Sequence, residues 1–486
     1  MAVKELKSKA MNKKNVFSFL FTILATIIVW NLPTDSFGID GLTVVQQRII
    51  AIFVFATLSW LTESIPAWAT SLVIIMTMCL TVSNNSLAFF KGDETDAAFG
   101  TLLKSKAIMA SFADPVIMLF LGGFTLAIAA SKFGLDVLLA RNLIRPFGKK
   151  SENVLLGFLL ITGFFSMFVS NTATAAMMLT FLTPVFAALP ANGKGRIALT
   201  MSIPVAANLG GMGTPIGTPP NAIALQQLSE MGMTIDFGKW MMFMLPLVLL
   251  LLFISWRVIL WFYPFTQKTI ELNIQGHVHE GWKMWVVSGT FILTILLWVL
   301  PSDMTGIDSN TVALVPMGLF ALTGVITRKD LSEIDWSVIW MVAGGFALGL
   351  GLNGSGLADA AIESIPFGEW SPIVILLVSG LICYFLSNFI SNTATAALLV
   401  PILATVCKGM GGSLASIGGT ATVLVGIAVA ASSAMCLPIS TPPNAIAFST
   451  GLVKQNEMLK VGLTMGIVTM VLGYILLYFI GQMGLI

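Results

Sequence analysis

The chain has 486 residues, of which 56% are hydrophobic and only 10% charged, and its mean hydropathy is +0.92. A water-soluble domain has no place for so much apolar surface, so composition excludes a soluble globular protein and points to a bilayer. The formal charge is +2, and the four cysteines (Cys79, Cys383, Cys407 and Cys436) form no CxxC pair, which argues against a disulfide framework and against a zinc site.

Five lysines (Lys4, Lys7, Lys9, Lys13 and Lys14) precede the first apolar run, which predicts a cytoplasmic amino terminus. No small-residue cleavage site follows before Asn31-Leu32-Pro33, so residues 1–42 read as a cytoplasmic leader and a retained first helix. Apolar spans near 16–33, 43–61, 67–83, 111–131, 196–230, 238–264, 282–301, 309–327, 335–352, 413–451 and 457–480 give about eleven crossings. Threaded from a cytoplasmic start, they put Arg141, Arg145, Lys149, Lys150, Lys194, Arg196, Lys268, Arg328, Lys329, Lys454 and Lys460 inside. Asp35, Asp40, Asp303, Asp308, Asp359, Glu363 and Glu369 fall outside. The expected location is a cell membrane, inner or plasma.

Two further apolar regions, 152–190 and 371–409, each hold two arms of about 14 to 16 residues joined by a polar SNTATA stretch, and arms of that length are expected to be too short to span the membrane. A single long helix would bury the polar centre against lipid. A re-entrant hairpin, its tip enclosed by protein, satisfies both constraints.

The chain is internally duplicated. Ser170-Asn171-Thr172-Ala173-Thr174-Ala175-Ala176 recurs as residues 391–397, Thr218-Pro219-Pro220-Asn221-Ala222-Ile223-Ala224 as 441–447, and Gly122-Gly123-Phe124 as 344–346. The offsets are 221, 223 and 222 residues, too regular for chance. Five crossings separate the two Gly-Gly-Phe helices, so the copies run in opposite senses, as in inverted-topology transporters. The predicted fold is therefore all-α: a polytopic membrane protein with about eleven transmembrane helices and two re-entrant hairpins in an inverted repeat. The repeats span 43–260 and 282–486, with a cytoplasmic linker at 261–281.

The chemistry gathers at the hairpin tips and at two interrupted helices, 196–230 and 413–451. Their breaks lie at Asn208-Leu209-Gly210-Gly211-Met212-Gly213-Thr214-Pro215 and Ser432-Ser433-Ala434-Met435-Cys436-Leu437-Pro438. Helix N-termini attract carboxylates, and unwound carbonyls with hydroxyl and amide oxygens suit a hard cation. Ser166 precedes Ser170 by four residues, and Ser387 precedes Ser391 likewise. Each pair is expected to share a helix face and an ion, or else to serve helix packing. No Lys, Arg, Asp, Glu or His lies within either tip or break. A dianion on such a neutral site calls for accompanying cations.

Other features read as structural. Glu63 caps a turn, His277 and His279 sit with Glu280 in a polar loop, and the GxGxxG at Gly349, Gly351 and Gly354 lies inside an apolar crossing. An intramembrane enzyme needs a nucleophile with its base or a metal cluster, and neither is visible; a Walker motif is also absent. A channel has no use for inverted, paired hairpins.

The paired SNT tips, each followed by a broken helix ending in TPPNA, and the Thr62-Glu63-Ser64-Ile65-Pro66 element resemble the divalent anion sodium symporter family, or INDY-type transporters. The similarity runs from about residue 43 through nearly all the rest of the chain. It implies a homodimer of scaffold and elevator-type transport domains that carries C4 or C5 dicarboxylates (succinate, malate, fumarate, 2-oxoglutarate), with sodium and no cofactor or nucleic acid. The family includes sodium-independent exchangers, so symport and exchange both stay open. By resemblance, Asn171, Thr172, Asn392 and Thr393 contact substrate, with Thr218, Pro219, Thr441 and Pro442 nearby. One sodium site is implied at Ser166, Ser170, Asn171 and Gly211, another at Ser387, Ser391, Asn392 and Ala434. The second departs from the first in having Ser433-Ala434 where the first has Gly210-Gly211.

Overall fold

The structure, a computed structural model, describes residues 13–486 apart from 93–95, 188, 191–192 and 271–275; Lys4, Lys7 and Lys9 of the amino-terminal cluster lie outside the described residues. In hydrocarbon a backbone must satisfy its own hydrogen bonds, and the described regular structure is helical apart from two isolated β-bridges. Helices of eight or more residues are α1 (Lys13–Asn31), α2 (Val44–Thr62), α3 (Ala67–Thr81), α4 (Pro115–Phe133), α5 (Leu135–Ile144), α6 (Ser151–Phe168), α7 (Asn171–Ala187), α8 (Lys194–Gly211), α9 (Pro219–Glu230) and α10 (Phe237–Phe262). There follow α11 (Trp282–Val299), α12 (Leu314–Leu322), α13 (Trp336–Gly354), α14 (Leu357–Ser364), α15 (Pro372–Ser387), α16 (Asn392–Met410), α17 (Thr420–Ser433), α18 (Pro442–Ser449) and α19 (Gln455–Gln482).

Local chemistry sets the ends. Thr43 and Gln46 form a capping box on α2, and Asp114 accepts the Val116 N–H where Pro115 opens α4. Glu63, the one non-glycine residue at positive φ (47°) among those described, is the C-cap of α2, which fits its reading as a turn residue. His277 and His279 are exposed and meet edge to face with ring centroids 4.9 Å apart, and no metal-ligating group of three occurs among the described residues.

The described chain forms two compact units. The first comprises residues 1–113, 337–370 and 401–411. Within it, Gly344 and Gly351 of α13 approach Ser71 and Met78 of α3, so the glycine-rich α13 is a packing surface. Arg48 of α2 donates to the Thr81 and Phe90 carbonyls, under the rings of Trp30, Phe90 and Phe99.

The second unit comprises residues 114–336, 371–400 and 412–486 and contains both SNT motifs. The copies interlock within it: α9 packs on α17, while α18 packs on α7 and α8. Helices α6 and α8 approach closely: a Cβ on Gly210 would lie 2.4 Å from the Gly163 carbonyl oxygen.

Eight described segments are long and apolar enough to cross a membrane. Several of the eleven expected spans prove shorter: 16–31, 67–81, 309–322 and 420–433. Three of the four arms around the SNT motifs are longer than expected, at 18, 17 and 19 residues, while Pro372–Ser387 has the expected 16. An 18-residue helix reaches about 27 Å, so arm length does not by itself prevent a crossing. What sets these segments apart is the break in each, at Val169-Ser170 and at Asn388–Ser391.

The Gly163–Gly210 contact has a measurable consequence. Gly210→Ala forces backbone apart in a packed interface and should cost about 1–3 kcal/mol. A lowered midpoint of thermal unfolding in detergent is the expected readout; an unchanged midpoint refutes the tight approach.

Candidate functional site

Each SNT motif starts a helix. Ser170 Oγ accepts the Ala173 N–H at 3.2 Å, and Ser391 Oγ accepts the Ala394 N–H at 3.1 Å, so both serines are N-caps. The helix face expected to join Ser166 to Ser170, and Ser387 to Ser391, is absent because α6 ends at Phe168 and α15 at Ser387. Asparagine takes the serine's place. Ser166 Oγ lies 2.5 Å from Asn171 Oδ1, and Ser387 Oγ lies 2.9 Å from Asn392 Oδ1, the same pairing in both copies.

The first cluster is rich in oxygen. Ser166 donates to the Ala207 carbonyl at 2.8 Å. The Asn171 amide atom that faces Ser166 also faces the carbonyls of Gly217 at 3.1 Å and Ala207 at 3.2 Å. Such a cluster is satisfied in one of two ways: the amide nitrogen turns inward and donates, or the oxygen stays inward and a cation sits among the oxygens. Gly211 borders it so closely that a Cβ there would lie 2.7 Å from Asn171 Oδ1. With the amide oxygen inward the lining is all oxygen, a donor set that suits a hard cation; with the nitrogen inward the cluster is satisfied without one. The second cluster is poorer. Ser433 Oγ turns back to the Val429 carbonyl at 2.6 Å, and Ala434 leaves the helix with ψ of 96°.

The residues that hold the breaks open are Asn221 and Asn444. Asn221 Nδ2 donates to the Gly211 and Thr214 carbonyls at 3.1 and 2.8 Å; Asn444 Nδ2 donates to those of Met435 and Leu437 at 2.8 and 2.9 Å. Asn208 Nδ2 then bridges the two broken helices through Thr441 Oγ1 and Asn444 Oδ1, at 3.2 and 3.3 Å. The sequence reading assigned none of these three asparagines, although two stand in the repeated TPPNA motif. Thr218 is buried beside its break and Thr441 caps α18 through the Asn444 N–H, while Pro219 and Pro442 open α9 and α18. Thr172 is exposed and Thr393 buried, and neither touches the other tip through a hydrogen bond.

A cavity of about 470 Å³ opens onto Ser170 and Ala173, and its wall includes Lys132, Asp330, Glu333 and Asp335. Lys132 Nζ donates to Asp330 at 2.6 Å and to the Val325 carbonyl at 2.9 Å. Burial raises the Asp330 carboxyl, but hydrogen bonds from Lys132 and from the Thr327 hydroxyl and N–H, with the Lys132 charge, outweigh it and hold the group at about 2. Ionisable groups thus line a space beside a tip that has none of its own.

The family profile described as citrate transporter (CitMHS) matches residues 57–421, well over half of the chain. The chain belongs to the citrate-transporter family. Family membership makes it a transporter and not an enzyme, in line with the resemblance to divalent-anion symporters. It is 31% identical to a sodium-dependent dicarboxylate transporter, SdcS, of Staphylococcus saprophyticus, over 97% of this chain and 93% of that one. An uncharacterized transporter of Haemophilus influenzae is 32% identical, covering 96% of this chain and 97% of its own. The fold is shared with the Alcanivorax borkumensis YdaH transporter (TM-score 0.54, 13% identity, 86% of this chain and 99% of that one) and with MtrF of Neisseria gonorrhoeae (0.52, 12%, 87% and 96%).

Asn444→Ala deprives two carbonyls of a buried amide and cuts the link to Asn208. It should lower the unfolding midpoint, with a cost of about 2–3 kcal/mol, and Asn444→Asp, which sets an acceptor against the Met435 and Leu437 carbonyls, should lower it at least as much. An unchanged midpoint in both substitutions overturns the bridging role.

Proposed function

We propose that this family member is a secondary active transporter of C4 and C5 dicarboxylates, coupled to sodium and working by elevator-type alternating access. The observation that carries the proposal is the oxygen cluster of Ser166, Asn171, Ala207 and Gly217, built around a helix break and repeated in outline at Ser387 and Asn392. Relatives named as sodium-dependent dicarboxylate transporters support the same reading.

In this reading Asn171, Thr172, Asn392 and Thr393 hold the carboxylates, aided by the N-termini of α7 and α16 and with Thr218, Pro219, Thr441 and Pro442 close by. Sodium occupies the clusters of Ser166, Ser170, Asn171 and Gly211 and of Ser387, Ser391, Asn392 and Ala434. Asn171 is shared by substrate and ion, which makes each strengthen the binding of the other. Residues 152–190 and 371–409 are re-entrant hairpins of an inverted repeat, the amino terminus is cytoplasmic and the protein works as a homodimer. The Asn171 amide also supports a second reading. With its nitrogen turned inward the first cluster is satisfied without a cation, as sodium-independent exchange requires.

Uptake of labelled succinate into proteoliposomes separates the two readings. Symport predicts concentrative uptake driven by an inward sodium gradient. It also predicts that Ser166→Ala raises the half-maximal sodium concentration roughly tenfold, the order expected for one lost polar contact. Asn171→Ala and Asn392→Ala should each abolish uptake in protein that still inserts. Uptake that needs internal dicarboxylate and no sodium establishes exchange instead. For topology, cysteines placed at Ser151 and Ser371 should label from opposite faces of the membrane; labelling from one face refutes the inversion.

A further inference from the structure

The cavity beside the first tip contains a charge arrangement that neither tip nor break possesses. Its wall brings together Lys132, the one basic residue among its described lining residues, three acids (Asp330, Glu333 and Asp335) and the N-cap Ser170 of α7. At about 470 Å³ it lies within the usual range for small-molecule sites.

We propose that this cavity is a peripheral carboxylate subsite, through which a dianion passes on its way to or from the SNT tip, and that Lys132 is its anion-binding group. The proposal rests on the dicarboxylate reading above. Lysine has three N–H donors; two are used here, on Asp330 and the Val325 carbonyl, and the side chain is 35% exposed. Asp330 is an internal stand-in for a substrate carboxylate. It is itself held by the Thr327 N–H at 2.7 Å and the Thr327 hydroxyl at 2.6 Å, so it keeps partners when Lys132 turns toward another anion. Exchange of one carboxylate for another on Lys132 therefore leaves no buried charge bare, which is what a transit site needs. Glu333 and Asp335 oppose a long stay, because two more negative charges on the same wall repel a dianion. The inner site can then stay neutral while Lys132, in the cavity wall, draws the anion in.

Equilibrium exchange of labelled succinate, with the same concentration on both faces of proteoliposomes, tests this whichever way the protein is inserted. Lys132→Gln should raise KM about three- to tenfold while the maximal rate stays within about twofold, and Lys132→Arg should restore KM. Glu333→Gln, at an exposed position, should lower KM about twofold, and added salt should shrink both effects. The Glu333 arm decides the matter if Lys132→Gln does not fold. Unchanged KM in both variants overturns the subsite, as does a rise that Lys132→Arg fails to reverse, since that marks lost packing. If the unsubstituted protein exchanges no succinate, the failure belongs to the dicarboxylate reading and not to this one.

Discussion

A helix interrupted inside hydrocarbon leaves carbonyls and N–H groups that no water can satisfy, and each buried group left bare costs several kcal/mol. In this protein side-chain amides meet that demand. Asn221 and Asn444 each reach back across their own break to two carbonyls, and Asn208 ties one broken helix to the other. Everything proposed for the site depends on these bridges, because they hold the breaks open without filling them. They also leave oxygens such as those of Ala207 and Gly217 directed toward Asn171.

Close packing follows from the same economy. Gly163 against Gly210, and Gly211 against Asn171 and Gly217, are approaches that a single added methyl group obstructs. Small residues let backbones meet where lipid offers no hydrophobic drive for association. The folds of YdaH and MtrF persist at 13% and 12% identity, which is intelligible if helix placement and backbone satisfaction constrain such a chain more than particular side chains do.

Charge is distributed by a related logic. A dianion on helix N-termini and neutral amides is held weakly enough to leave, but it needs compensation while it crosses. The proposed sodium clusters supply that at the centre. Lys132 sits at the approach, paired to Asp330, with Thr327 as a second partner that makes the pair exchangeable. Leaving compensation to mobile cations and attraction to Lys132 gives the neutral clusters and the charged cavity of the second unit distinct parts in the proposed cycle.

The sequence by itself determined the membrane class, the duplication and the location of both tips and both breaks, because apolar runs, Gly-Pro interruptions and letter-for-letter repeats are local properties of the chain. Ser170 and Ser391 stood out for the same reason. Only the tertiary structure decided what those residues touch. The serines four positions apart do not share a helix face, because the backbone leaves the helix between them and Asn171 and Asn392 turn in instead. Arm lengths near the limit for crossing depended on where helices fray, which composition does not specify. Asn208 meets Asn444, and Lys132 meets Asp330, across separations of 236 and 198 residues. No periodicity encodes such contacts; they exist because long-range packing brings distant, individually unremarked polar groups to one place, where burial obliges them to find each other.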